Sequence, residues 1–487
     1  MARKKKVLFE DGIDKREVGY YSTPRFISEY LTDEMISLNP NGKLVLDPAV
    51  GKEELLPYFY NKGKIIHGID IIRHKNDYEY CDFKQLNFID HYNSLCTQAI
   101  FKSLLETEYD YIIANPPYNC HEISYIRDNK KWLSSLFEVG AHNMYSMFLS
   151  AIIDIAKDGC IIGVIIADSF LTASVHGKLR NKILKECSIH QIILCPTDLF
   201  KSQNADVRTC ILLLQKGKDY QKKVQVCNRP INCEVFRTQL QNKQFAQLNL
   251  EQIILPCSKL NEQIVIGAPY SIIDLFKNCK SIGELFKCIT CISTGNDSKY
   301  LSKERISGFT VPFYKNPASR KFKTHPDAYL IDTYLAESTR IKDFMVRNKA
   351  FLSEEGIACS SMGLPFSAVY LPSNAVTGVN PSIFPPKKDI YWLISYLNSS
   401  LVTYIVRAVL IRSNMVTSGY VNCIPVVEFN DNEKLLLSNI AQDTIRGCIQ
   451  QNEAINNIDK LIFDKLSFCQ EDINEIIRFT SNLQQSV

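Results

Sequence analysis

The chain has 487 residues, of which 46% are hydrophobic and 22% are charged, and its formal net charge at pH 7 is +4. This composition is typical of a folded globular protein and excludes a largely disordered chain. The small net charge excludes binding to nucleic acid through overall charge, so any such binding must come from local basic patches.

Cysteines and apolar runs indicate the compartment. The 17 cysteines are scattered, and Cys288 and Cys291 have no second pair at metal-ligand spacing, so no metal site is predicted. The start of the chain lacks the pattern of a signal peptide. No apolar run reaches the roughly 18 residues that a membrane span needs. We therefore expect a reduced, cytoplasmic protein that has no membrane partner.

The first half of the chain alternates apolar runs with helical patterns. Residues 1–20 are charged and irregular and predict an arm, and a helix is predicted from Pro24 to about Leu38. Continuous apolar runs between helices are typical of a parallel sheet that is covered on both faces, so this half is predicted to be α/β. Two further helices are predicted at 144–157 and 178–186, and strands are predicted at 43–47, 64–70, 109–114, 160–166, 190–195 and 209–215.

The pattern changes after about Lys216, where polar residues become frequent and the alternation of strands and helices is lost. A linker is predicted at about 245–270. Beyond it, short strands mix with Gly and Pro turns, and the tail after Asn432 has the apolar spacing of two or more helices. We therefore predict one domain at 1–245 and a second, α+β domain at 246–487 that ends in helices.

The most specific motif is Asn-Pro-Pro-Tyr at 115–118, directly after the predicted strand that ends at Ala114. Open α/β sheets place their sites at the carboxyl ends of strands. An amine attached to an aromatic ring is a poor nucleophile, because its lone pair is delocalised into the ring. We predict that the side-chain oxygen of Asn115 and the rigid backbone carbonyl of Pro116 accept hydrogen bonds from the two N–H groups of this amine and so localise its lone pair on the nitrogen. Tyr118 offers a face for a base removed from the duplex stack, and these three residues are the predicted catalytic set.

Acidic residues upstream of this motif indicate a cofactor site. Asp-Pro-Ala-Val-Gly at 47–51 predicts a tight turn whose glycine lets the backbone pass close under a cofactor. Asp70 ends the second predicted strand, where a carboxylate commonly accepts from ribose hydroxyls. Asp82 is placed to accept from an adenine amino group. Each acid alone is typical of a solvated strand end, but in series before the motif at 115–118 they predict one site.

Together these segments resemble the gamma class of amino-methyltransferases from restriction–modification systems, whose motifs follow the same order. The resemblance covers nearly the whole chain and is strongest up to about residue 216. It implies a Rossmann-like domain that uses S-adenosyl-L-methionine to methylate N6 of a flipped adenine in a specific sequence of double-stranded DNA, without a metal. It also implies a C-terminal target-recognition domain and is compatible with a separate restriction endonuclease as a partner.

The resemblance extends the predicted site. Tyr21 and Thr23, in Tyr-Ser-Thr-Pro, resemble the family's donor-contacting segment, and Phe200 resembles the residue that supplies a second aromatic ring to the flipped base. Lys52 and Glu53 depart from the family, which usually has a further glycine here; they either hold the backbone away from the donor or point outward. The predicted donor-binding residues are Tyr21, Thr23, Asp47, Ala49, Gly51, Asp70 and Asp82.

The second domain contains a cluster of basic residues between Tyr314 and Lys323. Cations in it can neutralise phosphates and its aromatic residues can stack on bases, although a solvated surface explains such a run equally well. Segments 292–297 and 391–399 also resemble the family's specificity domains, but a turn and an amphipathic core helix are favoured for them. The predicted DNA-binding residues are Lys315, Arg320, Lys321 and Lys323.

Two other functions are compatible with the sequence. The motif at 115–118 also occurs in enzymes that methylate RNA bases or protein glutamine. The roughly 220 residues after the linker favour a large target such as duplex DNA over a small one. The altered glycine loop is compatible with a non-catalytic DNA-recognition subunit that keeps the fold, whereas the intact motif at 115–118 counts against it.

Overall fold

The computed structural model describes residues 21–98, 105–118, 123–201, 207–218, 223–256, 262–318, 320–411 and 415–485. The arm predicted at 1–20 lies outside them. The chain forms two compact units, the first of which contains the described residues up to Ile254 together with 262–267. The second unit contains Leu255, Pro256 and the described residues from Ala268 onward.

The first unit is built on a sheet of nine strands. The strands are β1 (Leu44–Asp47), β2 (Ile65–Asp70), β3 (Asp82–Gln85), β4 (Tyr111–Ala114), β5 (Ile161–Ala167), β6 (Cys187–Leu194), β7 (Thr209–Lys216), β8 (Lys223–Cys227) and β9 (Ala246–Asn249). The helices are α1 (Arg25–Leu38), α2 (Pro57–Asn61), α3 (Phe88–Gln98), α4 (Ser124–Asp128), α5 (Lys130–Leu136), α6 (Met144–Ile155), α7 (Gly177–Glu186) and α8 (Cys233–Gln241).

The sheet order is β3-β2-β1-β4-β5-β7-β6-β8-β9. The first five strands are parallel. Strand β7 is antiparallel to both β5 and β6, and β9 is antiparallel to β8, so the sheet is mixed rather than parallel throughout. Strands β8 and β9 continue the alternation with α8 beyond Lys216, where the sequence pattern predicts its loss.

Both faces of this sheet are covered, as its continuous apolar strands predict. Along β4, Ile112 and Ala114 join one hydrophobic cluster, whereas Tyr111 and Ile113 join the cluster on the other face. The α1 helix contributes Ile27, Leu31 and Met35 to the second cluster, at helical spacing. The core therefore fixes the carboxyl ends of β1, β2 and β4 at one edge of the sheet.

The second unit consists of small sheets followed by helices. Its two four-stranded sheets have the orders β12-β21-β18-β19 and β14-β16-β15-β20, and β13 pairs with β17. The strands are β12 (Lys287–Ile289), β13 (Ile292–Ser293), β14 (Leu301–Ser302), β15 (Val311–Tyr314), β16 (Ala328–Leu330), β17 (Met345–Val346), β18 (Gly356–Cys359), β19 (Ala368–Leu371), β20 (Val376–Thr377) and β21 (Ser382–Phe384). Strands β10 (Ile254–Pro256) and β11 (Glu262–Ile264) lie in the part of the chain where the first unit ends and the second begins.

Helices are interspersed with these strands and then dominate the tail, in agreement with the predicted α+β domain that ends in helices. They are α9 (Tyr270–Asn278), α10 (Ile282–Leu285), α11 (Asp297–Tyr300), α12 (Tyr334–Arg340), α13 (Ile390–Leu397), α14 (Ser400–Tyr404), α15 (Ser418–Asn422), α16 (Asp431–Arg446), α17 (Gln451–Leu466) and α18 (Gln470–Gln485). Among the described residues, no single helix has both the length and the apolar composition to cross a membrane; one bent pair, Lys387–Leu397 with Ser400–Leu410, reaches both only when taken together.

The predicted domain boundary at 245/246 lies too early in the chain. Strand β9 begins at Ala246 and pairs with β8, so it belongs to the sheet of the first unit. The carbonyl of Glu262 accepts a hydrogen bond from the buried side chain of Arg180 in α7. The first unit therefore extends to Gly267.

Candidate active site

A cavity of about 260 Å³ opens at the carboxyl ends of β1, β2 and β4. Its position agrees with the rule that open α/β sheets place their sites at this edge. Several of the residues predicted from the sequence line it: Tyr21, Thr23, Ala49, Gly51, Asp70 and Asn115.

The turn after β1 is held by hydrogen bonds from its backbone N–H groups to carboxylate side chains. Oδ1 of Asp47 accepts from the backbone N–H of Ala49 (3.0 Å), and Gly51 has a φ of +53°, which favours glycine. Asp47 itself is 1% exposed and does not line the cavity. Burial raises the pKa of its carboxyl well above the usual range. Asp47 therefore holds the loop in shape, and its carboxylate does not face the cavity where the sequence predicts a contact with the donor.

Asp70, at the end of β2, joins this loop to the cavity wall. Its Oδ2 accepts from the N–H of Gly51 (2.9 Å) and its Oδ1 from the N–H of Ile72 (3.0 Å). The Nε2 of His74 lies 3.8 Å from Oδ1. Burial raises the pKa of Asp70, and these N–H groups oppose that rise. The carboxylate is thus fixed in the cavity lining, where ribose hydroxyls can donate to it.

Glu53 explains how the loop tolerates two large residues after Gly51. Its φ is +68° and the residue is 1% exposed. The carboxylate accepts from the N–H groups of Glu79 (3.1 Å) and Tyr80 (2.8 Å) and pairs with Lys75 (2.6 Å). Lys52 is exposed, and neither Lys52 nor Glu53 lines the cavity. Lys52 therefore points outward, as one of the two alternatives states, whereas Glu53 is buried but does not face the cavity.

Asp82 is not at the site, which corrects the sequence-based prediction. In the parallel register of β2 and β3, Asp82 lies opposite His67, whereas Gln85 lies opposite Asp70. Asp82 is therefore at the amino end of its strand, three residues before the position opposite Asp70, and it does not line the cavity. The residues that follow β3 and line the cavity are Asn87 and Phe88. Cys-Asp-Phe at 81–83 and Leu-Asn-Phe at 86–88 are similar in sequence. Only the position of the end of β3 shows that the second of them reaches the cavity.

Asn115 is held in a defined orientation. Its Nδ2 donates to the backbone carbonyl of Tyr21 (2.8 Å) and to Oγ1 of Thr23 (3.0 Å). A backbone carbonyl accepts only, so this contact fixes which side of the amide is the oxygen. Oδ1 accepts from the hydroxyl of Tyr118. The segment at 21–23 therefore lines the cavity and also positions the predicted catalytic amide.

The aromatic residues beside Asn115 pack on one another. The rings of Tyr21 and Tyr118 are stacked, with centroids 5.6 Å apart and an angle of 20° between their planes. The Phe200 centroid lies 5.8 Å from that of Tyr21 and 6.3 Å from that of Tyr118. Phe200 is fully buried, and burial raises the pKa of the Tyr118 hydroxyl well above its usual range. The structure thus brings the predicted stacking residues together, with Tyr21 against the face of Tyr118.

The remaining cavity lining fits a nucleoside-containing donor. Ile71, Phe88 and Phe148 provide apolar walls on which a purine can pack. The carboxylate of Asp70 and the amide of Asn87 provide polar groups at the ends of β2 and β3. This combination suits S-adenosyl-L-methionine, and Asn87, Phe88 and Phe148 are functional candidates that the sequence pattern did not identify. Among the described residues, no group of three or more His, Cys, Asp or Glu side chains could hold a metal ion.

The basic cluster predicted in the second unit is largely neutralised. Lys315 pairs with Asp297, and Arg320 pairs with Asp327. Lys321 is 3% exposed and its Nζ donates to the carbonyl of Asn398 (2.8 Å).

Burial lowers the pKa of Lys321 to about 8. A cation that is buried and bonded in this way cannot reach a phosphate, so its assignment to DNA binding is corrected. Tyr314 and Phe322 are also buried and offer no stacking surface, which leaves Lys323 exposed without those aromatic neighbours.

Several solved structures have folds similar to that of this chain. The chain matches the type IIL enzyme MmeI in complex with DNA over 97% of this chain and 79% of that one, at 12% identity and a TM-score of 0.57. It matches a DrdV–DNA complex over 88% of this chain and 57% of that one, at 12% identity and a TM-score of 0.53.

A third match is a nuclease-deletion mutant of the type ISP enzyme LlaGI in complex with a DNA substrate mimic, over 87% of this chain and 55% of that one, at 10% identity and a TM-score of 0.53. The chain therefore spans less than two thirds of the DrdV and LlaGI chains. At these identities the similarity concerns the fold.

Residues 12–263 match the N-6 DNA methylase family. The match includes every strand of the nine-stranded sheet and every residue of the cavity described above. Since it extends over more than half of the 487 residues, the chain belongs to the N-6 DNA methylase family.

Proposed function

We propose that this protein transfers a methyl group from S-adenosyl-L-methionine to N6 of adenine in a specific sequence of double-stranded DNA, as the modification activity of a restriction–modification system. The observation that carries the proposal is the fixed amide of Asn115, which lines the same cavity as Asp70 and the loop after β1. In such a system a separate restriction endonuclease would be its partner.

Donor binding is assigned to the cavity of the first unit. Asp70 would accept from ribose hydroxyls, Asn87 would contact the purine, and the apolar walls would pack against its ring. When bound, S-adenosyl-L-methionine supplies an activated methyl group on a sulfonium centre. The turn at 47–51 keeps the backbone close under the donor, because Gly51 is held to Asp70 by a hydrogen bond.

Asn115 would act on the amino group of the target base. Its Nδ2 is occupied by Tyr21 and Thr23, so its oxygen is directed away from them and is the atom that can accept an N–H of the base. Together with the carbonyl of Pro116, this oxygen would localise the nitrogen lone pair toward the methyl donor. Such preorganised acceptors act without reorganisation during the reaction, which makes catalysis electrostatic and positional.

The target adenine would lie against Tyr118. In the described structure Tyr21 covers one face of that ring, and the Tyr118 hydroxyl bonds to Oδ1 of Asn115. A base that enters the site therefore has to take the place of the Tyr21 ring and share or displace that hydroxyl contact. Phe200 borders the same space and would limit its width. This arrangement favours a flat aromatic target over an aliphatic amide.

The test is transfer of labelled methyl from S-adenosyl-L-methionine to duplex DNA of mixed sequence, with RNA and total protein as parallel acceptors. We expect label in N6-methyladenine of DNA with the intact protein. Asn115→Ala should lower the rate by at least about 100-fold, because one preorganised acceptor is lost. Asn61→Ala, at the exposed end of α2, is the matched control and should keep full activity.

Each other outcome points to a different function. Label in RNA or protein alone would reject DNA as the substrate and retain the chemistry. Donor binding without transfer to any acceptor would contradict the catalytic proposal. Absence of both donor binding and transfer would favour a DNA-recognition subunit.

A further inference from the structure

We propose that a groove between α12 and β17 in the second unit binds the phosphodiester backbone of duplex DNA. This inference rests on the proposed function, because it specifies where that DNA is held outside the active site. The groove has a volume of about 540 Å³. Four cationic residues line it: Arg340, Lys342, Arg347 and Lys349.

The charges of this groove are not compensated within the described part of the chain. All four cationic side chains belong to exposed residues, and no Asp or Glu is among the lining residues. None of the four forms an ion pair with another described residue; the guanidinium of Arg347 contacts only the sulfur of Met345, at 3.5 Å. A local positive potential of this kind attracts a polyanion even though the net charge of the chain is small.

The cluster at 315–323 shows that other basic residues of this unit do have partners within the protein. Lys315 and Arg320 each have a carboxylate partner, and Lys321 is buried. Cations that already hold a carboxylate release little free energy when they meet a phosphate, because the existing pair has to be broken first. The groove at 340–349 is therefore the better phosphate site.

The backbone that presents these cations is held in place. Strands β13 and β17 pair, and the N–H of Arg347 donates to the carbonyl of Cys291 (3.0 Å). Nδ2 of Asn348 donates to the carbonyl of Thr290 (2.9 Å). Phe344 is 1% exposed and packs edge-on against Tyr300, with ring centroids 4.8 Å apart. The cations therefore extend from an anchored segment, which lowers the entropy lost on binding.

A glycine is required for this anchoring. Gly295 has a φ of +67°, and a Cβ at this position would lie 2.7 Å from the backbone oxygen of Asp343. The turn after β13 can approach the segment before β17 only because residue 295 has no side chain.

The lining indicates contact with the backbone rather than with unstacked bases. Its one aromatic residue, Phe344, is buried and cannot stack on a base. Binding of single strands commonly uses exposed aromatic side chains in addition to cations. Guanidinium and ammonium groups are instead the groups that contact phosphates and give no sequence preference.

The experiment measures the affinity of the full chain for duplex DNA between 50 and 200 mM salt. Two double variants are compared, Arg340→Gln with Lys342→Gln and Arg347→Gln with Lys349→Gln. Each is expected to reduce the slope of log K against log salt by about two, one per phosphate contact, and to weaken binding roughly tenfold for all sequences. The matched control is Lys465→Gln, whose ammonium group already pairs with Glu433 (3.1 Å), and its slope should equal that of the intact protein.

Folding and the proposed function are checked in the same samples. All four substitutions are at exposed residues, so the thermal unfolding temperature and the affinity for S-adenosyl-L-methionine should be unchanged. A slope in the double variants equal to that of Lys465→Gln would overturn the inference while leaving DNA binding and the proposed function intact. No binding of the intact chain to duplex DNA would overturn both. Tighter binding to single strands than to duplex would also contradict the assignment.

Discussion

Polar side chains around the cavity of the first unit are buried and hold one another, whereas the cations of the groove in the second unit are exposed and lack ion-pair partners among the described residues. Asp47, Glu53 and Asp70 each accept backbone N–H groups, which fixes their positions before any ligand arrives. Arg340 and Lys342 are exposed residues. The first arrangement suits a small ligand that must be placed accurately, and the second suits a long polyanion that is attracted from a distance.

Lys321 is the exception to this division, because it is a buried cation in the second unit. Its pKa is lowered to about 8 from 10.5 by burial, so between these values the folded chain binds fewer protons than the unfolded chain. Stability attributable to this group therefore rises with pH across that window. We expect the intact protein to gain about 3 kcal/mol of unfolding free energy relative to Lys321→Met between pH 8 and pH 10.5.

Chemical denaturation at several pH values measures this difference. The salt dependence of DNA binding by Lys321→Met should equal that of the intact protein. Parallel pH profiles for the two proteins, or a reduced salt slope in the variant, would show that Lys321 is exposed and would break the comparison between the units.

Asp70 and Asp82 sharpen the comparison within the first unit. Both carboxylate oxygens of Asp70 accept a backbone N–H group. In Asp70→Asn one oxygen is replaced by an NH₂ group, which cannot accept and would point at one of these N–H donors. We expect its affinity for S-adenosyl-L-methionine, measured by calorimetry, to fall about tenfold, or about 1.4 kcal/mol. Asp82→Asn, at the amino end of β3 and outside the cavity lining, should change it less than about twofold. Equal effects of the two variants would contradict the assigned register.

Glu53 and Lys52 provide the smallest expected effect. Replacing either by glycine restores the more usual composition of the loop. Lys52→Gly should leave donor affinity unchanged, since the side chain is exposed. Glu53→Gly relieves a positive φ but loses the bonds to Glu79, Tyr80 and Lys75. We expect about threefold weaker donor binding, or about 0.7 kcal/mol, in the same calorimetric measurement. Tighter binding by Glu53→Gly would mean that the loop is strained by its side chain rather than held by it.

The predictable part of the fold is the part with strong hydrophobic signals. Strands β1, β2, β4, β5 and β7 lie close to their predicted ranges, because each contains a short apolar run that ends at polar residues. Strand β3 is mostly exposed, as is β9, so neither has the apolar run by which a strand is recognised. The reversed direction of β7 was not predictable, because an apolar run has the same composition in either orientation.

The same reasoning applies to the site. Asn115, Asp70 and Gly51 were predictable because each follows a clear strand and topology brings those ends together. Asp82 was misplaced because the end of the exposed β3 could not be located. Lys321 was misassigned because the sequence does not show whether a lysine is exposed or buried. In the structure its ammonium group is buried and donates to the carbonyl of Asn398.

Arg180 has a consequence for recombination between related proteins. Its fully buried guanidinium bonds to the carbonyls of Phe170 and Ala173, near the end of β5, and to that of Glu262, 82 residues further along the chain. In a chimaera joined at residue 245, β9 and the segment around Glu262 would come from the other protein. Arg180 would then face a segment whose sequence did not evolve with it. A chimaera joined just after Gly267 would keep all three of these hydrogen bonds of Arg180. Natural or engineered exchange of the second unit should therefore tolerate a crossover after residue 267 and select against one at residue 245.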